Sequence, residues 1–279
     1  MIAADAIVGR MDVIRTTFET GKLAAEEHTN DDEVIAVLSK LDKEYQSVAY
    51  EGAAMGRAVA DIVAGEPYQR WAVFLQKNIE HAVQIHIGLG WALSSKKIAD
   101  LASLSSIEPL LKARVLDGYG YCDGTFRQRL TIGQQQIHSF LTDTDLVGYD
   151  QGIGRSIWYI TRGDTTILPK LIDPFWASRK PHLWRGIGIA MTYVGGVDES
   201  TLKAIIELAS VYRSHLGVGA LLAYRSRYDA QSLNRDTVLA CQLLSGLDAT
   251  QAIVPTTNTT KLSYSEYLDL LATHISLFL

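Results

Sequence analysis

YDQGIGR, at residues 149–155, resembles YEGAAMGR at residues 50–57, and a second pair of similar segments follows them. IHIGLGWAL (85–93) in the first half of the chain is similar to WRGIGIAM (184–191) in the second half. The matching glycines and arginines lie 98 residues apart, since 154 − 56, 155 − 57 and 186 − 88 all give 98. Self-similarity at a fixed spacing is typical of repeated structural units. The sequence therefore predicts two copies of a unit of just under 100 residues.

Helical periodicity fills most of the chain outward from these segments. VIAVLSKLDKEY (34–45), ESTLKAIIELASVYRSHL (199–216) and YSEYLDLLATHISLFL (264–279) place apolar residues three and four apart, behind Asn, Asp or Ser residues that suit helix N-caps. Strand signals are few, because hairpin dipeptides joining alternating runs are almost missing. We predict an all-α fold of roughly a dozen helices.

The two repeats are expected to be tandem, pseudo-symmetric and packed into one globular unit. They are predicted to cover about residues 45–140 and 145–245 of a single domain, residues 1–279. Terminal helices are expected in residues 1–44 and 246–279.

Composition excludes several classes of protein. Of the 279 residues, 47% are hydrophobic and 20% charged, which indicates a folded chain, and the net charge of −5 without a basic cluster argues against a nucleic-acid partner. We find neither a secretory signal nor an apolar run of about 20 residues that could span a bilayer, so a cytoplasmic location is expected. The two cysteines stand alone, and neither a metal site nor a cofactor is predicted.

Glycines at helical positions are best explained by close helix packing, because each glycine destabilises a helix interior by about 1 kcal/mol relative to alanine. A ligand lying directly on the backbone is the alternative. Phosphate binding is disfavoured, since Gly186 and Gly188 are neither preceded by a strand nor followed by the spacing of a nucleotide-binding loop.

Two arginines, Arg57 and Arg155, are expected to be buried and to need carboxylate partners. Because Glu51 and Asp150 lie six and five residues before them, neither pair fits one helix face, and we predict that Glu51 pairs with Arg155 and Asp150 with Arg57. The alternative is a purely structural role, with Asp150 capping a helix that begins at Gln151.

The segment LDGYGYCDGTFRQR (116–129) is predicted to be a loop with functional residues, because glycines separate its aspartates, tyrosines and arginine. Aromatic residues elsewhere fit either a cavity wall or plain core. The candidate acid–base residues are Asp150, Glu51, Asp117, Asp123 and Tyr119, and the candidate substrate contacts are Arg57, Arg155, Trp158, Tyr121, Trp91 and His86.

YEGAAMG, HIGLGWA, DGYGYCDG, YDQGIGRSIW and LWRGIGIAMTYVGGVD occur in an order that resembles the DUF1702 family of bacterial proteins. The resemblance runs from about residue 45 to about residue 250. It implies an accessory role beside iterative enediyne polyketide synthases, in making a polyene- or polyyne-derived natural product, and it supplies no catalytic residues.

Three functions are open on the sequence. The first is an enzyme, or a component of one, that acts on or binds a long apolar intermediate in a helical cavity by acid–base chemistry. The second is a terpenoid-type cyclase or isomerase that uses a protonated aspartate, and the third is a non-catalytic carrier or scaffold for a synthase complex. The expected partner is an apolar small molecule, with other biosynthetic proteins and a second copy of the chain as further candidates.

Overall fold

The computed structural model describes residues 2–253 and 262–278, and within these ranges the chain forms fourteen α-helices and no strand, which confirms the all-α prediction. The helices are α1 (Ile2–Glu27), α2 (Asp31–Leu38), α3 (Lys43–Ala64), α4 (Gln69–Lys77), α5 (Ala82–Ser95), α6 (Pro109–Phe126), α7 (Asp143–Thr161), α8 (Leu168–Ile172), α9 (Lys180–Val194), α10 (Glu199–Ala209), α11 (Arg213–Asp229), α12 (Arg235–Ser245), α13 (Ala249–Ile253) and α14 (Tyr264–Ser276).

Side-chain caps fix the start of several helices. Asn30, Asp198 and Ser263 accept hydrogen bonds from the first-turn amides of α2, α10 and α14, as the polar residues before these helices predict. Thr142 begins α7 with a reciprocal capping box, in which Asp145 bonds back to the amide of Thr142. The prediction that Asp150 caps a helix beginning at Gln151 is therefore wrong, because α7 begins seven residues before Asp150.

Three other boundary predictions are wrong. Residues 116–126 are helical as part of α6, since glycines there serve helix packing rather than a loop. The stretch 199–216 divides at Ser210, whose positive φ of 48° ends α10 before α11 begins. The stretch 34–45 likewise contains the end of α2 and the start of α3.

Glycines bring the central helices into backbone contact. A Cβ atom added to Gly88 of α5 would collide with the carbonyl oxygen of Glu51 in α3, and one added to Gly90 would collide with that of Val115 in α6. Because α5 touches a neighbour closely on both sides, all its residues from Gln84 to Ser94 are buried. The prediction of close packing is confirmed at these positions.

The same contacts recur in the second half of the chain. Gly52 of α3 lies on the carbonyl of Phe18 in α1, and Gly152 of α7 lies on that of Asp117 in α6. Gly88 lies on the carbonyl of Glu51, and Gly186 lies on that of Gln151. The helix series α1, α3, α5 thus packs in the same manner as the series α6, α7, α9 that follows it in the chain.

The register of these contacts differs from the register of the sequence motifs. Gly52 corresponds to Gly152, an offset of 100 (152 − 52), whereas Gly88 corresponds to Gly186, an offset of 98 (186 − 88). Because α3 and α7 correspond at an offset of 100, the residue of α3 that is structurally equivalent to Arg155 is Met55 (155 − 100) rather than Arg57. The two arginines therefore occupy different environments despite their similar motifs.

Helix α1 connects the two halves. Its C-terminal part packs on α3 through Gly21 and Gly52, while in its N-terminal part Ile7 lies against Gly163, just after α7. Arg10 forms ion pairs with Glu44 at the start of α3 and Asp236 in α12, both at 2.9 Å. These contacts place α1 along one side of the central helices.

Replacing Gly152 with alanine tests the packing constraint. The added methyl group meets the backbone of Asp117 and Tyr121, which cannot move independently of α6, so we expect the free energy of unfolding to fall by about 2–3 kcal/mol in urea titrations. Gly9→Ala is the control, because a Cβ added to this exposed glycine of α1 meets no atom of the described residues within 4 Å. Its substitution is expected to stabilise the helix by up to about 1 kcal/mol. Equal effects of the two substitutions would contradict the packing role.

Candidate functional site

Two cavities lie among the central helices. One has a volume of about 450 Å³ and is bounded by α1, α3, α5, α6, α7 and α9, and we call it the aromatic cavity. The other has a volume of about 330 Å³, and α11 takes the place of α1 in its wall; we call it the polar cavity. Both volumes fall in the range of small-molecule sites.

Three residues line both cavities, namely Glu51 of α3, Arg155 of α7 and Tyr193 of α9. The two cavities therefore adjoin at these three side chains. Two of the three are candidates from the sequence, and the structure brings them together at the centre of the molecule.

Trp91 is the centre of the aromatic cavity's wall. Its ring lies 5.0 Å from that of Phe18 and 5.1 Å from that of Tyr121, centroid to centroid, and Tyr159 lies a further 5.4 Å from Tyr121. Phe126, with 72% of its surface exposed, also borders this cavity and lies 6.0 Å from Trp91. The cavity therefore offers aromatic faces to a ligand and an aromatic side chain that reaches solvent.

Glu51 places a titratable carboxyl group in this apolar wall. Burial raises its pKa to about 7, and the nearby charge of Asp117 acts in the same direction. The positive charge of Arg155 and a 3.0 Å hydrogen bond from the Trp91 indole oppose the shift without cancelling it. At neutral pH this carboxyl group exists in both protonation states, as proton exchange with a ligand requires.

Arg155 is held by a chain of hydrogen bonds. Its Nη1 donates to Asp117 at 2.5 Å, and the other oxygen of Asp117 accepts from Gln151 at 2.5 Å. Gln151 in turn accepts from the hydroxyl of Tyr264 in α14 at 2.7 Å. Although burial lowers the pKa of Arg155, the charges of Asp117 and Glu51 outweigh it and raise that pKa, so the guanidinium stays charged.

Arg155 also faces the cavity. Its guanidinium lies 4.7 Å from the centre of the Tyr121 ring, and its Nε is buried without a hydrogen-bond partner in the part of the chain that the structure describes. Glu51 and Arg155 interact electrostatically without a direct hydrogen bond, whereas Asp117 is the ion-pair partner of Arg155. The predicted ion pair between Glu51 and Arg155 is therefore wrong. Glu51, Asp117, Tyr121, Trp91 and Arg155 thus form one site.

Asp150 lies outside both cavities. Its carboxylate accepts two hydrogen bonds from Arg179, from Nε at 2.8 Å and from Nη2 at 2.5 Å, and both side chains are buried. Burial raises the pKa of Asp150, and Arg179 opposes this shift. The pair fastens α7 to the turn before α9, so the predicted pairing of Asp150 with Arg57 is wrong.

Arg57 closes the C-terminal end of α1. It pairs with Asp31 at 2.7 Å and donates to the carbonyls of Ala25 and His28 at 3.1 and 2.8 Å. These partners all precede Arg57 in the chain, so this arginine does not connect the two halves. It lines neither cavity.

Asp123 belongs to a separate buried cluster. It accepts hydrogen bonds from Ser94 and Tyr149 at 2.6 and 2.9 Å, forms an ion pair with Arg127, and lies 2.6 Å from Nε2 of His138. Burial alone raises the pKa of Asp123, but these partners outweigh it and lower that pKa.

Tyr119 packs beside this cluster. Its ring lies 5.6 Å from that of His138, and its hydroxyl donates to the carbonyl of Ile98 at 3.3 Å. The dense contacts around Asp123 and Tyr119 fix the end of α6 against α5 and α7.

His86 and Trp158 are core residues. His86 hydrogen-bonds to the carbonyl of Ala82 at 2.7 Å and packs edge-on against Trp71, and burial lowers its pKa to about 4. Trp158 is fully buried and borders neither cavity.

Sequence patterns missed part of the site. Gln84, Tyr159 and Tyr193 contribute to the cavity walls, and Gln151 connects Asp117 to α14. Helical spacing from the predicted site residues could have identified two of these side chains. Tyr159 follows Arg155 by four positions, and Gln84 precedes Trp91 by seven.

The part of the chain that the structure describes contains neither a cluster of potential metal ligands nor a helix that could cross a membrane. Within residues 2–253 and 262–278, no group of three or more His, Cys, Asp or Glu side chains lies close enough together to hold a metal ion. In the same ranges, none of the helices combines the length and the apolar character needed to cross a bilayer.

These features define an all-helical protein with a carboxyl–guanidinium site between two cavities that are partly open to solvent. Residues 3–267 match the model of a family described as "Protein of unknown function (DUF1702)", and the chain belongs to this family. Searches of curated proteins and of solved structures gave no match.

The pKa of Glu51 can be tested through stability. A carboxyl group whose pKa rises on folding, from 4.5 to about 7, stabilises the folded state at low pH, and this contribution is lost as the pH rises through 7. Relative to Glu51→Gln, the wild-type protein is therefore expected to lose about 2–3 kcal/mol of unfolding free energy between pH 5 and pH 8. Urea unfolding of both proteins at each pH measures this change.

Glu207→Gln is the matched control, because Glu207 is exposed on α10 and its substitution removes the same charge. The stability difference between this variant and the wild-type protein is expected to change by less than about 0.5 kcal/mol over the same pH range. A flat difference for Glu51→Gln as well would show that Glu51 titrates normally.

Proposed function

We propose that the protein binds a long apolar molecule in the aromatic cavity and exchanges a proton with it through Glu51. The observation that carries this proposal is a carboxyl group with a pKa of about 7 in the wall of a 450 Å³ cavity lined mainly by apolar and aromatic side chains. A cavity of about 150 Å³ already accommodates benzene, so this one has room for an extended hydrocarbon.

The resemblance of the sequence motifs to proteins encoded with enediyne polyketide synthases suggests the biological setting. We propose an accessory role in bacterial natural-product biosynthesis, with an enediyne-like polyene or polyketide intermediate as the ligand and the cytoplasm as the location. An intermediate of this kind is long and apolar, which matches the aromatic cavity.

The proposed chemistry is a double-bond shift. Protonated Glu51 donates its proton to a carbon of the polyene, and the resulting cation is stabilised by the aromatic rings of Trp91 and Phe18. The charged Arg155 stabilises the carboxylate left on Glu51. That carboxylate then removes a proton from another carbon, which regenerates the acid and leaves an isomer with the same atoms.

A cyclase begins with the same protonation, and Glu51 is then the acid in place of the aspartate expected from the sequence. Asp150 is unsuited to that role in this arrangement, because its carboxylate is engaged by Arg179 and faces neither cavity. A carrier, by contrast, needs the aromatic cavity but no titrating carboxyl group.

Two variants distinguish a catalytic role from the role of a carrier. Ile160→Trp fills part of the aromatic cavity, whereas Glu51→Gln retains its shape and removes the acid. Binding is measured with diphenylhexatriene, a neutral polyene that fluoresces in apolar surroundings, and function by restoring product formation in a producing bacterium that lacks the gene.

We expect Ile160→Trp to weaken probe binding by at least about tenfold and to abolish product formation. Glu51→Gln is expected to bind the probe as the wild type does and to reduce product formation by at least about a hundredfold. Full product formation by Glu51→Gln would identify a carrier, and failure of the wild-type protein to bind the probe would refute the cavity as the site.

A further inference from the structure

The polar cavity differs from the aromatic cavity in the side chains that only it contains. Beyond the three shared residues, its wall contains apolar side chains and the acids Asp117 and Asp229. It also contains polar and cationic groups of α5, α6, α11 and α14, namely Gln84, Arg114, Arg225, Ser226 and Tyr267. Its position next to Glu51 makes it the natural place for one end of a molecule that occupies the aromatic cavity.

Arg114 has no carboxylate partner within the described part of the chain. Its contacts there are to Tyr264, whose hydroxyl accepts from Nη1 at 3.3 Å and whose ring lies 5.4 Å from the guanidinium carbon. Because Arg114 is only half-buried and borders the cavity, the rest of its donors can reach a ligand.

The acids around this cavity are engaged elsewhere. Asp117 accepts from Arg155 and Gln151, and Glu51 accepts from the Trp91 indole. Asp229 is exposed at the end of α11 and interacts electrostatically with Arg225. Each of these acids thus has a partner other than Arg114.

Gln84 and Ser226 add neutral hydrogen-bonding groups to the same wall. The Gln84 amide donates to the Ser226 hydroxyl at 2.6 Å, and this bond connects α5 to α11. An anionic group entering the cavity thus meets a guanidinium together with neutral polar groups, a combination that suits a carboxylate or a phosphate.

We propose that the polar cavity holds the anionic end group of the molecule whose apolar chain fills the aromatic cavity, with Arg114 as the principal counter-charge. This inference rests on the proposed function, and it names the ligand class as a linear amphipathic acid. Since Glu51, Arg155 and Tyr193 line both cavities, the chain atoms beside Glu51 are those closest to the acidic end.

Parinaric acid and its methyl ester provide the test, because both are fluorescent polyenes of one chain length and only the acid is charged. We expect the wild-type protein to bind the acid at least about tenfold more tightly than the ester. In Arg114→Gln this preference is expected to fall below about threefold, through weaker binding of the acid and unchanged binding of the ester.

Lys96→Gln is the control, since it removes one positive charge from an exposed position that borders neither cavity. It is expected to retain the wild-type preference. Competition by dodecanoate and dodecyl phosphate against bound parinaric acid distinguishes the two anionic end groups, with dodecanol as the uncharged reference.

Equal binding of acid and ester by the wild-type protein would overturn the anionic end group while leaving the aromatic cavity as a binding site. A preference for the acid that persists in Arg114→Gln would also overturn it, because the charge recognition would then lie elsewhere. Binding of neither probe would instead count against the proposed function itself.

Discussion

Backbone contact between helices is the constraint on which the rest of this structure depends. Glycines in α3, α5, α6, α7, α9 and α11 lie directly on carbonyl groups of neighbouring helices, where any side chain would collide. Such glycines weaken isolated helices, so the helices gain their stability from packing. The contacts fix how close and in what register each helix meets the next.

The cavities follow from the same arrangement. Where the helices touch through glycine, their backbones leave no space, and on the inward faces the large side chains of Trp91, Tyr121 and Tyr159 line open volume instead of filling it. Glu51 and Arg155 lie on these inward faces. Each of these helices thus packs closely against its neighbour on one face and borders a ligand-sized cavity on another face.

Burial then gives the acidic groups different properties. Among the described residues Glu51 has no direct ion-pair partner, and its pKa is raised, whereas Asp123 is surrounded by donors and has a lowered pKa. Asp150 and Asp117 each form a short ion pair with an arginine. Of these buried acids, Glu51 is the one that combines a pKa of about 7 with a position in a cavity wall.

The helical class and the packing role of the glycines could be predicted from the sequence, because both depend on the spacing of residues that lie close together in the chain. The partners of Arg57 could not, since Asp31 and the carbonyls after α1 become its neighbours only when α1 and α3 pack. The offset of 100 in α3 and α7 was hidden as well, because the motifs align their last glycine and arginine rather than Gly52 and Gly152. The grouping of Glu51 with Asp117 required the fold, as they lie 66 positions apart (117 − 51).

The most direct measurement is a pH titration of the glutamate side-chain carboxyl groups by carbon-13 NMR, in the wild-type protein and in Glu51→Gln. One resonance, missing from the spectrum of Glu51→Gln, is expected to titrate with a midpoint near 7. Its midpoint is expected to move when an apolar ligand fills the aromatic cavity, because removing the remaining water disfavours the charged carboxylate. A Glu51 resonance that titrates near 4.5, with or without ligand, would contradict the proposed role of this carboxyl group.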